Sequence, residues 1–222
     1  MIHKIARRPN RRRPNVVRMN EAVTNPTDEQ LIADYAQGRT DGFEVLVERY
    51  TQELYHFLVR FTGGTATAED VVQETFLQIH LSADSFDTSR RFKPWLFTIA
   101  ANKARDIMRG RARRPEVPLD ATVDEDQDRG QRFLDFLSST DAEPDRPLER
   151  AEREHVVRRT VQELPEHLRE TLILAYYHKF PYKDMAEILG IPLGTVKSRL
   201  HAAVAAFSEA YRQATRPETV SE

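Results

Sequence analysis

The chain has 222 residues, of which 31% are charged and 40% hydrophobic, so it can form one large or two small domains. Eight Gly and little strand-like alternation predict an all-α fold, and the absence of Cys excludes disulfides, thiolate catalysis and Cys-ligated metals and fits a reducing cytoplasm. The formal net charge of −2 would by itself argue against nucleic-acid binding, but it is an average over the whole chain, and local charge decides which surface meets phosphate. No apolar run reaches the ~20 residues of a membrane helix.

Charge is segregated along the chain, beginning with a basic amino-terminal segment. Residues 1–26 carry too few apolar side chains to fold, which predicts a disordered arm. The arm also lacks the apolar segment of a secretory signal. It either contacts DNA phosphates nonspecifically or is a dispensable tail, because Met19 offers an alternative start.

A first helical unit is predicted over residues 27–114. It begins at Thr27, where Gln30 completes a capping-box pattern. A longer helix is then predicted over residues 43–61, ended by a Gly-Gly pair. Its apolar side chains recur at close to 3.6-residue spacing: Phe43, Leu46, Val47, Tyr50, Leu54, Phe57 and Phe61.

A third helix, predicted over residues 67–81, carries a polar strip opposite its buried face. The strip follows helical spacing and consists of Asp70, Gln73, Glu74 and Gln78. Taken alone, such a strip is more typical of an ordinary solvated helix face than of a binding site.

A basic helix and an aromatic loop follow. Residues 82–92 read as a loop around Phe86, and Pro94 is predicted to open a helix that runs to Arg111. Residues 90–114 hold nine Arg or Lys and one acid, and the outer stripe of the helix consists of Asn102, Arg105, Asp106, Arg109 and Arg113. Cations for the backbone and a ring for an unstacked base are what single-stranded nucleic acid requires. The alternative is a solvated basic helix with Phe86 tucked into the core.

Residues 115–147 are predicted to be a flexible acidic linker. Four Pro lie between residues 115 and 147, and the run at residues 124–128 is almost entirely acidic, which keeps such a segment extended. A short apolar patch at residues 133–137 interrupts it, and its role is left open. A second helical unit is predicted over residues 148–213, followed by a tail at 214–222.

Residues 182–201, YKDMAEILGIPLGTVKSRLH, predict a helix-turn-helix. Gly190 suits the left-handed residue that ends one helix, and Pro192 suits the start of the next. Val196 and Leu200 form the inner face of the second helix, which leaves a polar outer face. That face would enter a DNA major groove and consists of Thr195, Lys197, Ser198, Arg199 and His201. An ordinary helical hairpin with a solvated face is the alternative.

Three segments together resemble the extracytoplasmic-function (ECF) group of bacterial RNA polymerase sigma factors, within the sigma-70 superfamily. They are residues 68–76 (AEDVVQETF), 92–106 (FKPWLFTIAANKARD) and 185–201 (MAEILGIPLGTVKSRLH). The last is shared loosely with other helix-turn-helix regulators. All three segments in this order, on either side of an acidic linker, form a pattern that is highly specific for this family.

The resemblance implies roles for each surface. The strip Asp70, Gln73, Glu74 and Gln78 would bind the clamp helices of the polymerase β′ subunit. The minus-ten element would be bound by Phe86, Asn102, Lys103, Arg105, Asp106, Arg109 and Arg113, with a flipped base held near Phe86 and Asn102. In the minus-thirty-five element, Lys197, Ser198 and His201 would read bases beside Thr195, and Arg199 would contact phosphate.

The implied partners are RNA polymerase core, through its β′ clamp helices and β flap, promoter DNA in duplex and single-stranded form, and an anti-sigma factor. No cofactor, metal or enzymatic activity is expected, because the sequence has no phosphate-binding Gly loop and its His residues lack ligand spacing. One departure is Ala202-Ala203, where the family usually continues with a basic residue. A free-standing regulator of duplex operators, or an adaptor acting through the acidic linker, are the alternative functions.

Overall fold

A computed structural model describes residues 26–112 and 147–216 of the chain. Within these ranges the secondary structure is helical, with no strand, which confirms the predicted all-α class. The helices are α1 (Asp28–Ala36), α2 (Asp41–Thr62), α3 (Thr65–Ser82), α4 (Phe92–Ala112), α5 (Pro147–Glu163), α6 (Glu166–Tyr176), α7 (Tyr182–Leu189) and α8 (Leu193–Ala214), with a short 3₁₀ turn at Ala83–Ser85. The arm, most of the linker including its apolar patch, and the end of the tail lie outside the described residues.

Helices α1 to α4 form a first bundle whose ends follow local sequence chemistry. Thr27 Oγ1 accepts from the Gln30 N–H at 3.2 Å and Gln30 Oε1 accepts from the Thr27 N–H at 2.9 Å, so the predicted capping box is present. Helix α2 ends at Gly63, whose φ of 77° is the left-handed conformation that glycine adopts readily. The core between these helices is dominated by side chains that are fully buried: Leu46, Leu54, Phe57, Phe61, Leu96 and Phe97.

Helix α4 begins at Phe92, two residues before the Pro94 start predicted from sequence. Pro94 fits in the first turn because the N–H groups there have no partner within the helix. The Phe92 N–H instead donates to Glu29 Oε1 of α1 at 2.9 Å. The predicted start of α4 was therefore wrong, because the group that accepts from its first N–H belongs to α1, far away in sequence.

Helices α5 to α8 form a second bundle with its own apolar interior. Met185 and Ile188 of α7 and Val196 and Phe207 of α8 are buried together with the apolar face of α6, which includes Leu172. Burying one such side chain stabilises a fold by roughly 1.5–3 kcal/mol. This interior fixes the angle at which α8 presents its outer face.

The two bundles are in contact in this structure. Helices α2 and α4 of the first pack against α5, α6 and α7 of the second. Gln162 of α5 donates a side-chain hydrogen bond to the backbone carbonyl of Arg60 near the end of α2. Sequence patterns predicted two units on a linker and indicated nothing about this contact.

Candidate nucleic-acid and protein interfaces

Helices α7 and α8 form the predicted helix-turn-helix. Gly190 has a φ of 64°, and the Ile191 N–H donates to the Ala186 carbonyl at 3.1 Å, which closes the end of α7 as in a Schellman motif. Helix α8 starts directly after Pro192, whose carbonyl accepts from the Val196 N–H at 3.1 Å. The turn is thereby fixed by backbone hydrogen bonds.

The outer face of α8 carries all five residues predicted to meet the minus-thirty-five element. Lys197, Ser198 and His201 are exposed, while Thr195 and Arg199 are half-buried. The Ser198 hydroxyl donates to the Thr195 carbonyl of its own helix at 3.1 Å. The exposed side chains lie on one side of the helix and are free to approach a groove.

Helix α4 carries the basic residues predicted to meet the minus-ten element, and they do not share one environment. Asn102 is exposed, and Arg109 is exposed and paired with Asp106 one turn earlier. The Lys103 Nζ atom lies 3.4 Å from Glu74 Oε2 of α3, so it joins the predicted DNA face to the predicted polymerase face. Arg113 lies outside the described residues.

Arg105 faces the second bundle instead of the solvent-facing stripe predicted for it. Its Nη2 atom lies 3.4 Å from the Ile188 carbonyl, and its Nε atom lies 3.6 Å from Glu170 Oε1. Glu170 is 3% exposed, and burial raises its pKa to about 7, with nearby Glu166 adding to the rise and Arg105 and Arg199 opposing it. Helical periodicity places Arg105 on the outer stripe but cannot reveal a partner in another unit.

Phe86 follows the 3₁₀ turn after α3 and is half-buried at the edge of the first core. Its ring centroid lies 4.7 Å from that of Trp95 and 5.9 Å from that of Phe92. The loop is ordered next to it by Asp87, which accepts from the Ser89 N–H at 2.9 Å, and the hydrogen bonds from Ser89 lower the pKa of Asp87. In this structure the ring packs as the core alternative describes, and its role towards DNA stays a prediction.

The outer face of α3 carries the strip predicted to bind polymerase. All four polar members are exposed: Asp70, Gln73, Glu74 and Gln78. Leu77 and Leu81 are 57% and 70% exposed on the same face, which sequence analysis missed. Helical spacing could have found them, because Leu77 follows Gln73 by four residues and Leu81 follows Leu77 by four. The face therefore combines acidic, amide and apolar groups.

The described residues contain no group of three or more His, Asp or Glu side chains placed to hold a metal ion. Among the helices of these two ranges, none combines the length and apolar character needed to span a bilayer.

A fixed helix-turn-helix with an exposed basic face, beside a bundle with a basic helix, defines a DNA-binding protein. The sequence matches two family descriptions in chain order: Sigma-70 region 2 over residues 46–114 and Sigma-70, region 4 over residues 154–207. The first match contains α3 and α4, and the second contains the helix-turn-helix.

Curated relatives match over nearly their whole lengths. The RNA polymerase sigma-H factor of Pseudomonas aeruginosa is 32% identical over 194 residues, covering 87% of this chain and 98% of the relative. The ECF RNA polymerase sigma factor SigW of Bacillus subtilis is 32% identical over 176 residues, covering 78% and 90%. The chain belongs to the sigma-70 family of RNA polymerase sigma factors, in its ECF group.

Solved structures are similar as well. CnrH, in complex with the cytosolic domain of CnrY, superposes with a TM-score of 0.58 at 28% identity, covering 82% of this chain and 95% of that one. The sigma factor RpoE of Bartonella quintana, in complex with the anti-sigma factor NepR, gives a TM-score of 0.58 at 25% identity, covering 77% and 96%.

Proposed function

We propose that this protein directs RNA polymerase core to specific promoters and assists DNA melting through two separate DNA-binding surfaces. The observation that carries the proposal is the pairing of α4 and α8. One lies in the part that matches region 2, the other in the part that matches region 4, and both present basic groups. A free-standing regulator needs only the helix-turn-helix, so it leaves the first bundle without a role.

The first bundle, within the proposed unit 27–114, would hold opened strands. Asn102, exposed on α4, and Phe86 would hold a flipped base, and holding it offsets an unstacking cost of a few kcal/mol. Lys103, Arg109 and Arg113 would follow phosphates and provide salt-dependent affinity. Arg105 would also contact phosphates, after its side chain has moved away from Glu170.

The second bundle, within the proposed unit 148–213, would hold closed duplex. The exposed Lys197, Ser198 and His201 would read base edges of the minus-thirty-five element, and Arg199 would contact phosphate. Ala202 is exposed beside them and adds no charge, so this contact surface is shorter than the family pattern.

The outer face of α3 would bind the β′ clamp helices of the polymerase, with the second bundle meeting the β flap. Because CnrH and RpoE are solved with CnrY and NepR, we also propose an anti-sigma partner. The chain would act in the cytoplasm, where polymerase and promoter DNA meet. It would perform no chemistry itself.

Transcription in vitro with purified core polymerase and a genomic promoter library tests the proposal. A sigma factor binds core as a monomer, selects discrete start sites and prefers forked templates to plain duplex. A chain that never associates with core, or that binds duplex operators as a dimer without polymerase, would falsify it.

A further inference from the structure

Two small side chains, Ser198 and Ala202, lie together on the outer face of α8. The helix buries Val196, Leu200 and Ala203, so its opposite side faces outwards. Ser198 and Ala202 lie on that side, four residues apart, and both are exposed. Side chains at this spacing on a helix are neighbours, with about 5–6 Å between their Cβ atoms. The hydroxyl group of one and the methyl group of the other therefore form a single small surface.

The hydroxyl group of Ser198 acts as an acceptor towards any molecule outside the helix. It has one proton, which it donates to the Thr195 carbonyl of the same helix at 3.1 Å. Because both partners belong to α8, this bond stays in place when the helix enters a groove. In the major groove the base-edge donors are the N6 amino group of adenine and the N4 amino group of cytosine. Ser198 is therefore suited to adenine or cytosine.

Ala202 presents an uncovered methyl group. It is exposed, and its neighbours along the outer face, Ser198 one turn before it and Ala205 one turn after it, are too short to cover it. A basic residue is usual at this point in the family, so alanine replaces a charge that suits any phosphate with an apolar group. The apolar group that base edges offer in the major groove is the C5-methyl group of thymine. Ala202 is therefore suited to thymine.

An A·T pair offers both matching groups on one edge. In the major groove it presents the N6 amino donor of adenine and the C5-methyl group of thymine, whereas a G·C pair presents the amino donor of cytosine without a methyl group. An acceptor beside a methyl group, as on Ser198 and Ala202, is complementary to the A·T edge. With a G·C pair, the methyl contact is lost.

We propose that Ser198 and Ala202 together select an A·T pair in the minus-thirty-five element: Ser198 Oγ accepts from the adenine N6 amino group, and the Ala202 methyl group packs against the thymine C5-methyl group. The inference rests on the proposed function, since it specifies part of the sequence that the helix-turn-helix would read. It gives Ala202 a base contact at a position where a charged side chain would add affinity without sequence choice.

Selection from a duplex library tests which base pairs are read. The full-length protein is bound to polymerase core, and promoters with a randomised upstream element are selected by binding. Wild type should enrich an A·T pair at one position, and Ala202→Gly should lose part of that enrichment. Ala205→Gly is the matched control, because it removes the same methyl group from an exposed position one turn further along α8. Both changes weaken the helix similarly, so a difference between them reports the contact.

Base analogues then remove one group at a time from the selected pair. Replacing thymine with deoxyuridine removes only the methyl group and should weaken wild-type binding about fourfold, the effect of burying one such group. Replacing adenine with purine deoxyriboside removes only the amino group and should weaken binding about fivefold, the effect of one hydrogen bond. Ala202→Gly should be insensitive to the first replacement, and Ser198→Ala should be insensitive to the second.

The outcomes separate the two residues from the rest of the protein. Equal binding of thymine and deoxyuridine by the wild type at every selected A·T pair overturns the proposal. An equal deoxyuridine effect in wild type and Ala202→Gly also overturns it, because the preference would then come from DNA shape. If the wild type with core selects no upstream sequence, the proposed function itself fails and the inference falls with it.

Discussion

Gly42 lies where the start of α2 passes the backbone of α1. A Cβ atom at this position would lie 2.6 Å from the Leu31 carbonyl oxygen, which is backbone and cannot rotate away. The residue is therefore required by the close approach of two helices, although from sequence it reads as part of a turn.

Gly42→Ala is expected to destabilise the first bundle by about 1–3 kcal/mol, because α1 must move away from α2. Urea unfolding monitored by circular dichroism measures this. Gly110→Ala in α4 is the matched control, since its Cβ would meet nothing within 4 Å. The control should be stabilised by about 0.5–1 kcal/mol, and equal destabilisation of both variants would contradict the steric explanation.

Glu170 gives the protein a specific pH dependence. Its pKa rises from 4.5 unfolded to about 7 folded through burial, so the folded chain binds the proton more tightly. This contribution is fully present below pH 4.5 and is lost as the pH rises to about 7.

Glu170→Gln should remove that dependence, because the amide stays neutral. Between pH 5 and 8 the wild type should lose up to roughly 3 kcal/mol of unfolding free energy relative to the variant. Urea unfolding at each pH measures the difference. Glu163→Gln, at an exposed position on α5, should follow the wild type. Parallel curves for Glu170→Gln and wild type would show that Glu170 is ionised in the fold throughout.

At the scale of elements, α3 and α4 pack against each other while presenting different outer faces. Asn102→Ala in α4 should weaken open-complex formation and leave polymerase affinity unchanged, because the exposed amide lies on the predicted DNA face. Permanganate footprinting reports the melting, and fluorescence anisotropy reports the affinity. Loss of polymerase binding in this variant would reassign the residue.

The exposed leucines of α3 should show the opposite pattern to Asn102, because their replacement should weaken polymerase binding. Replacing Leu77 and Leu81 by Ser removes apolar surface that is not buried in the free chain, so folding should be little affected. Affinity for core polymerase should fall by about 2 kcal/mol if one of them is buried by the partner. Glu48→Ser with Gln52→Ser, at exposed positions on α2, is a control for general surface changes. Unchanged affinity would remove the leucines from the interface.

Patterns within single elements predicted most of the fold. The capping box at Thr27, the apolar stripe of α2 and the turn at Gly190 are local, so spacing and residue type were sufficient. The start of α4 and the direction of Arg105 were missed because Glu29 and Glu170 lie far away in sequence. Contact between the bundles depends on tertiary packing that no periodicity encodes.

For the whole molecule, the two DNA surfaces should act independently on promoter DNA. Lys197→Ala with Ser198→Ala should cost about 1–3 kcal/mol in upstream-element binding. Its effect should add to that of Asn102→Ala within about 0.5 kcal/mol, because the sites share no partner on an extended promoter. Transcription by the two variants and by their combination, from promoters altered at each element, measures whether the two effects add. An equal loss on every promoter sequence would make Lys197 and Ser198 phosphate contacts.

The hydrogen bond from Gln162 to the Arg60 carbonyl ties the end of α2 to the second bundle. Carbonyls in the last turn of a helix lack partners within that helix, and here one is supplied by the opposite half of the molecule. Loss of the Gln162 amide would return that oxygen to water and loosen the final turn of α2. The last turn of α2 is therefore stabilised by a side chain that lies 102 residues further along the chain.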